Sequence, residues 1–291
     1  MEKVEIKASD GLFLKALYSP VLNAKASIMI IHGMIEHKER YIELIKKLNE
    51  NNFNVIIADL RGHGESINDE YKLGMIGSID LMVDDEKKIL DYIKDKNPDK
   101  SIYVYSHSMG TLISREFIKK YSFEVSKLIL SGTVAYKPGC GFGAWLAKNK
   151  SKGNKKNNYS KLLFALSNNL STKEDFSWLS YNKENINNYV NDPLCGYKFT
   201  NFSNYILFSM THDLHKHVEN SVNKDLKIFS ISGADDRTTS KTKGVLDSVK
   251  HLKKEGFIDV KYKEYPNMKH EILMEDNKED VFKDIIDFYN E

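Results

Sequence analysis

Short apolar runs rich in β-branched residues alternate along this chain with longer stretches in which apolar residues recur every three or four positions. Val4 to Ala8 and Leu12 to Tyr18 flank Asp10-Gly11, the signature of a β-hairpin. Further strand-like runs fall near 26–32, 54–59, 101–105, 127–131, 227–232 and 260–265, which brings the expected strands to about eight. Helical spacing covers 41–51, 79–96, 109–121, 242–254 and 279–290. In the last of these, Val281, Phe282, Ile285, Ile286 and Phe288 form one apolar stripe. Strands alternating with helices predict an α/β protein with a mostly parallel sheet covered on both faces.

Residues 133–222 break the alternation. They contain no convincing strand run and are rich in aromatics, Asn and Lys, with helix-like pieces near 159–169, 183–191 and 203–213. A structureless loop of that length does not suit a compact domain. The expected organisation is therefore a core of 1–132 and 223–291, with a helical cap or lid, 133–222, inserted over one edge of the sheet.

The chemistry collects at strand ends. Ile102 to Val104 leads into Ser106-His107-Ser108-Met109-Gly110, and a helical pattern follows (Leu112, Ile113, Phe117, Ile118). Strand, tight turn with a serine at its apex, helix: this is the layout of a nucleophile elbow, with Ser106 where G-x-S-x-G has its first glycine. The run Ala26 to Ile31 ends in His32-Gly33-Met34, a strand end that presents a backbone N–H to the same oxyanion. Downstream, Ile228 to Ile231 leads into Gly233-Ala234-Asp235-Asp236-Arg237, and Val260 to Tyr265 into Pro266-Asn267-Met268-Lys269-His270-Glu271. Nucleophile, acid and histidine thus follow strands in the order Ser, Asp, His. His32-Gly33-Met34-Ile35-Glu36-His37-Lys38-Glu39-Arg40-Tyr41 fits H-G-x-x-E-H-x-x-R-Y. With Arg61-Gly62-His63-Gly64-Glu65-Ser66 and the elbow, the chain resembles the monoacylglycerol lipase and lysophospholipase group of α/β-hydrolases over essentially its whole length. Trp178-Leu179-Ser180 and Asp192-Pro193-Leu194-Cys195-Gly196 resemble a bacterial branch of that group.

An isolated serine hydroxyl is a poor nucleophile and needs a base. Ser108 is the expected nucleophile and His270 the base that takes and returns its proton. Asp235 and Asp236 compete to hold the other ring nitrogen, and the G-x-x-D spacing implied by the resemblance favours Asp236. The backbone N–H groups of Met34 and Met109 are the expected oxyanion donors. Glu36, Arg40 and Tyr41 read either as a salt-bridged loop shaping the oxyanion turn or, by the resemblance, as a region where Glu36 and Arg40 help seat a polar head group such as glycerol.

The remaining histidines carry no assigned chemistry. His32 and His63 sit in Gly-flanked turns and are expected to make structural hydrogen bonds. His107 is expected to face away from the Ser108 hydroxyl. His212, His215 and His217 lack an i, i+4 pair and an accompanying carboxylate set, so they read as a solvated helix face, and His251 as surface helix. Neither metal nor cofactor is expected.

Bulk properties fit one enzyme domain of 291 residues. A net charge of +2 gives no nucleic-acid footprint, and Cys140 and Cys195 make no disulfide framework. The start Met-Glu-Lys-Val-Glu-Ile lacks an apolar signal region, so a cytoplasmic location is expected. The basic run Lys148 to Lys156 reads as a solvated loop or as a surface drawn to anionic lipid, with Phe142, Trp145 and Leu146 before it either inserting into lipid or lining an acyl tunnel. The resulting expectation is a serine carboxylester hydrolase acting on a small-molecule lipid ester, a monoacylglycerol or a lysophospholipid. A short-chain esterase, a thioesterase, a peptidase of the same superfamily and a non-catalytic binding protein are the alternatives.

Overall fold

The computed structural model describes residues 1–167, 176–216 and 221–291. Eight strands form one sheet in the order β1-β2-β4-β3-β5-β6-β7-β8. The strands are β1 (Glu2–Lys7), β2 (Phe13–Ser19), β3 (Ala26–Ile31), β4 (Phe53–Ala58), β5 (Ile102–His107), β6 (Lys127–Ser131), β7 (Lys227–Gly233) and β8 (Val260–Tyr265). β1 and β2 form the expected antiparallel hairpin, β2 pairs antiparallel with β4, and every later pairing is parallel.

The central strands are apolar throughout because both faces of the sheet are covered, and the two-residue side-chain period sorts them. Met29, Ile31, Ile56 and Val104 pack on one face with α2 (Ile79–Lys96), α3 (Met109–Tyr121) and α8 (Lys241–Lys254). Ile28, Ile30, Val55, Ile57 and Tyr105 pack on the other with α1 (Ile42–Glu50) and α9 (Glu279–Asn290). The parallel register brings the carboxyl ends of β3, β5, β7 and β8 to one edge, where open α/β sheets carry their sites.

Between β6 and β7 the described residues form no strand. They carry α4 (Cys140–Lys150), α5 (Lys161–Ser167), α6 (Lys183–Asn191) and α7 (Asn201–Asp213). α6 matches expectation, capped by the Asn182 side chain. α7 starts at Asn201 because the Thr200 hydroxyl caps it by accepting from Ser203 N. Two expectations need correction. The sequence pattern does not predict α4, and the basic run, in place of a solvated loop, closes α4 with Lys148 to Lys150 and continues as a 3-10 turn, Gly153–Lys155. Phe142 and Trp145 stack on each other, 5.6 Å between centroids, and are 67% and 59% exposed, so they line no tunnel. The end of the expected helix 159–169 lies outside the described residues, as does His217. No described helix is long and apolar enough to cross a membrane.

Candidate active site

β5 ends at His107, and Ser108 follows with φ 52° and ψ −119°, a strained conformation that turns the chain abruptly into α3. Such strain persists only where the surroundings impose it. Ser108 N donates to Ser131 O on β6 at 2.9 Å, and the turn packs so tightly that a Cβ at Gly110 would stand 2.4 Å from Ile31 O. Ser106 fits where the pattern has glycine because it lies within β5, fully buried, with its hydroxyl donating to Ile129 O at 3.1 Å.

Residues remote in sequence meet at this apex. The Ser108 hydroxyl lies 2.8 Å from His270 Nε2, and His270 Nδ1 lies 2.8 Å from Asp236 Oδ2. A carboxylate only accepts, so Nδ1 carries the proton and Nε2 is left to accept from Ser108. Asp236 is fully buried, and its second oxygen accepts from Thr238 N at 2.7 Å. Asp235 faces elsewhere and accepts from the Tyr181 hydroxyl at 3.0 Å. Burial alone would push the His270 pKa down, but the charge and hydrogen bond of Asp236, with Glu271 and Glu36 behind them, hold it above the ordinary histidine value. Burial works against the Asp236 carboxylate in turn, and His270 holds it below the usual range.

The His270 ring is flanked by two aromatic rings that the sequence did not assign to the site. Trp178, from the segment between β6 and β7, has its centroid 5.1 Å away. His107, expected only to turn from the Ser108 hydroxyl, packs against His270 at 4.7 Å. Burial and the neighbouring His270 push the His107 pKa down to about 4, so His107 stays neutral.

The turn after β3 faces Ser108. Among the described residues, neither Met34 N nor Met109 N donates to a protein acceptor. Gly33 N is taken, donating to Glu36 Oε1 at 2.6 Å; the Tyr41 hydroxyl donates to the same oxygen at 2.9 Å. Arg40 donates to Glu36 Oε2 at 2.7 Å, to both oxygens of Glu271 and to Asn185 Oδ1 on α6. Glu36, Arg40 and Tyr41 thus form a buried network that links the turn after β3, the residue after His270 and α6. Glu271 and Asn185 carried no signal in the sequence, because their roles exist only through Arg40.

Beside Ser108 opens a largely apolar cavity that reaches the solvent. Met34, Met109, Val134, Trp178, Leu207 and Phe208 supply its apolar wall, with Lys137, Cys140, Thr211 and Thr238 also lining it. A smaller space that also touches Met34 and Ser108 is bounded by Glu36, Leu179, Tyr189 and Glu271.

The other histidines hold structure. His32 Nδ1 lies 2.8 Å from Gly33 O, and its Nε2 accepts from Leu60 N at 2.9 Å; His63 Nδ1 lies 3.1 Å from Arg61 O. His37 sits between Glu39 and Asp192, at 2.7 and 2.8 Å. His212 packs near Gly141. His251 lies on α8 as expected, whereas the reading of His215 needs correction, since a carboxylate does accompany it. His215 Nε2 lies 2.7 Å from Asp247 Oδ2, and its ring stacks between Tyr136 and His251. The two imidazoles are nearly parallel, 10° apart with centroids at 3.8 Å, and one ligand atom each from His215, Asp247 and His251 lie within 4.8 Å of one another.

Comparison with known proteins agrees with this architecture. The family model described as "Serine aminopeptidase, S33" matches residues 23–277. Mouse (Mus musculus) monoglyceride lipase is 31% identical over 188 residues, 64% of this chain and 58% of that protein, so the match spans little more than half of the relative's length. A carboxyl esterase from Bacillus coagulans, solved with glycerol, superposes with a TM-score of 0.87 at 24% identity, covering 99% of this chain and 97% of that one. A soluble variant of monoglyceride lipase from Saccharomyces cerevisiae gives 0.79 at 19% identity, covering 99% and 94%. These likenesses establish the α/β-hydrolase fold, and by the extent of the family match the chain belongs to the Serine aminopeptidase, S33 family of hydrolases.

Proposed function

We propose that this protein is a serine carboxylester hydrolase acting on single-chain lipid esters, monoacylglycerols or lysophospholipids. The observation that carries the reading is the hydrogen-bonded series Ser108–His270–Asp236 at the mouth of an apolar cavity. In this reading His270 Nε2 takes the Ser108 proton as Oγ attacks the ester carbonyl. Asp236 stabilises the imidazolium, and the N–H groups of Met34 and Met109 receive the developing oxyanion. His270 then protonates the leaving alcohol, and water activated by the same ring hydrolyses the acyl-enzyme. No step calls on a metal or cofactor.

The larger cavity suits the acyl chain and the smaller one the leaving alcohol. Glu36 and Arg40 serve the head group by fixing the shape of that smaller space, since their charged atoms are engaged with each other, Tyr41 and Glu271. The segment 133–222 acts as the cap. It exposes Phe142, Trp145 and Leu162 and also Lys152, Lys155 and Lys161, a composition suited to touching an anionic lipid surface. Sedimentation with phosphatidylglycerol vesicles, with and without Phe142→Ser and Trp145→Ser, tests that contact; equal pelleting of wild type and variant rules it out. An aminopeptidase reading would need an acid free to bind the substrate ammonium, whereas Glu36 and Glu271 are both paired with Arg40. A hydrolysis screen over monoacylglycerol, lysophospholipid, thioester and aminoacyl substrates tests the assignment. Lipid esters are expected to give the highest kcat/KM, and preferential turnover of an aminoacyl or thioester substrate contradicts it.

A further inference from the structure

Among the described residues Ile35 is the one β-branched side chain held in the left-handed region, at φ 53°, and it is buried. A β-branched residue there is a genuine outlier, and it persists only when its surroundings impose it. It directly follows Met34, the residue read above as an oxyanion donor. Two hydrogen bonds hold it, and both come from the segment between β6 and β7. The Tyr189 hydroxyl on α6 donates to Ile35 O at 3.0 Å, and Gly196 N donates to the same oxygen at 3.0 Å. On the other side of Met34, Glu36 fixes Gly33 N. Met34 N–H is therefore bracketed, and one bracket belongs to the inserted segment. The Tyr189 ring is itself held, 4.9 Å from the Arg40 guanidinium and 5.0 Å from the Phe176 ring.

We propose that Tyr189 is a positioning residue for the oxyanion: through Ile35 O it holds the Met34 N–H on target, so the inserted segment completes the catalytic machinery as well as the pocket. The proposal rests on the hydrolase reading above. When Ser108 Oγ bonds to the ester carbon and its proton passes to His270, the carbonyl π pair moves onto oxygen, and Met34 N–H and Met109 N–H stabilise that charge. A donor displaced from about 2.7–3.1 Å fails the transition state more than the bound ester. Losing the Tyr189 hydroxyl should therefore lower kcat and leave KM nearly unchanged.

The test is Tyr189→Phe, which keeps the ring and removes only the donor. Rates on a p-nitrophenyl ester are expressed per fluorophosphonate-titrated site, so any loss of folded protein lowers the site count and leaves kcat and KM readable. A trifluoromethyl ketone of the same chain length, whose adduct with Ser108 carries an oxyanion, supplies a second readout. The expected result is a fall in kcat of about tenfold, KM within about twofold, and a rise in the ketone's Ki by the same factor as the fall in kcat. Unchanged kcat and Ki overturn the proposal, as does a rise in KM alone, which would make Tyr189 a substrate contact. A wild-type chain that neither takes up fluorophosphonate nor hydrolyses the ester overturns the hydrolase reading itself, and this proposal with it.

Discussion

Arg40 grips Glu271 in a bidentate pair, Nη1 to Oε1 at 2.6 Å and Nη2 to Oε2 at 2.9 Å, across 231 residues of sequence. Glu271 is covalently next to His270, and Arg40 also holds Glu36, which fixes Gly33 N. One guanidinium thus sets the distance between the oxyanion turn and the loop that carries the base.

Arg40→Met should therefore be strongly destabilising, because it leaves two carboxylates buried without their partner. Breaking a buried pair in this way costs about 3–5 kcal/mol, measurable by urea denaturation at neutral pH. The Arg40 charge, working against burial, holds Glu36 down to about 2 and keeps Glu271 low. That stabilisation is present above the ordinary glutamate value and is lost as pH falls toward the folded-state value. The gap between wild type and variant should accordingly narrow between about pH 4.5 and pH 2. A gap that widens on acidification contradicts the network.

The Asp236 carboxylate should matter far more than Asp235. Asp236→Asn favours the wrong imidazole tautomer and is expected to lower kcat by about 10⁴; Asp235→Asn, which only loses the Tyr181 contact, should change it several-fold at most. The pH profile adds a second signature. His270 must be neutral to act as base, and its pKa is raised, so the acid limb of kcat/KM should lie above pH 6.5 in the wild type. In Asp236→Asn the main raising influence is gone and burial dominates, so the limb of the residual activity should move to lower pH. An upward movement would mean that the limb reports another group.

Acyl preference should track the cavity beside Ser108. Each methylene buried there contributes about 0.8 kcal/mol at most, roughly fourfold in kcat/KM, until the slot is full. Leu207→Trp fills part of that slot from α7. The variant should reach its optimum at a shorter chain and hydrolyse acetate esters as well as the wild type. An unchanged optimum would place the acyl chain elsewhere.

Much of this architecture is legible in the amino-acid sequence. Ser108, His270 and the Asp235-Asp236 pair each follow a hydrophobic strand, and parallel strands deliver their carboxyl ends to one edge, so local pattern brings these turns together, while the choice of Asp236 over Asp235 rests on the family resemblance. α4 was illegible for a local reason. Gly141 and Gly143 lower its intrinsic helicity and it has no apolar stripe; it forms because those glycines let it lie close against His212 and Phe208 of α7. The Arg40 network and the Tyr189 hydrogen bond were illegible for a long-range reason. Nothing near Arg40 announces Glu271, because the two meet only when the turns after β3 and β8 reach the same sheet edge, and nothing near Tyr189 announces Ile35, because that contact needs the segment between β6 and β7 in place.

The central claim, that Ser108 is an activated nucleophile, is tested most directly by fluorophosphonate labelling read by intact-protein and peptide mass spectrometry. The account predicts one adduct per chain, located on Ser108 and absent from Ser108→Ala, with ester turnover lost in parallel. A wild-type chain that remains unlabelled, or a Ser108→Ala chain that still labels at Ser106, would contradict it.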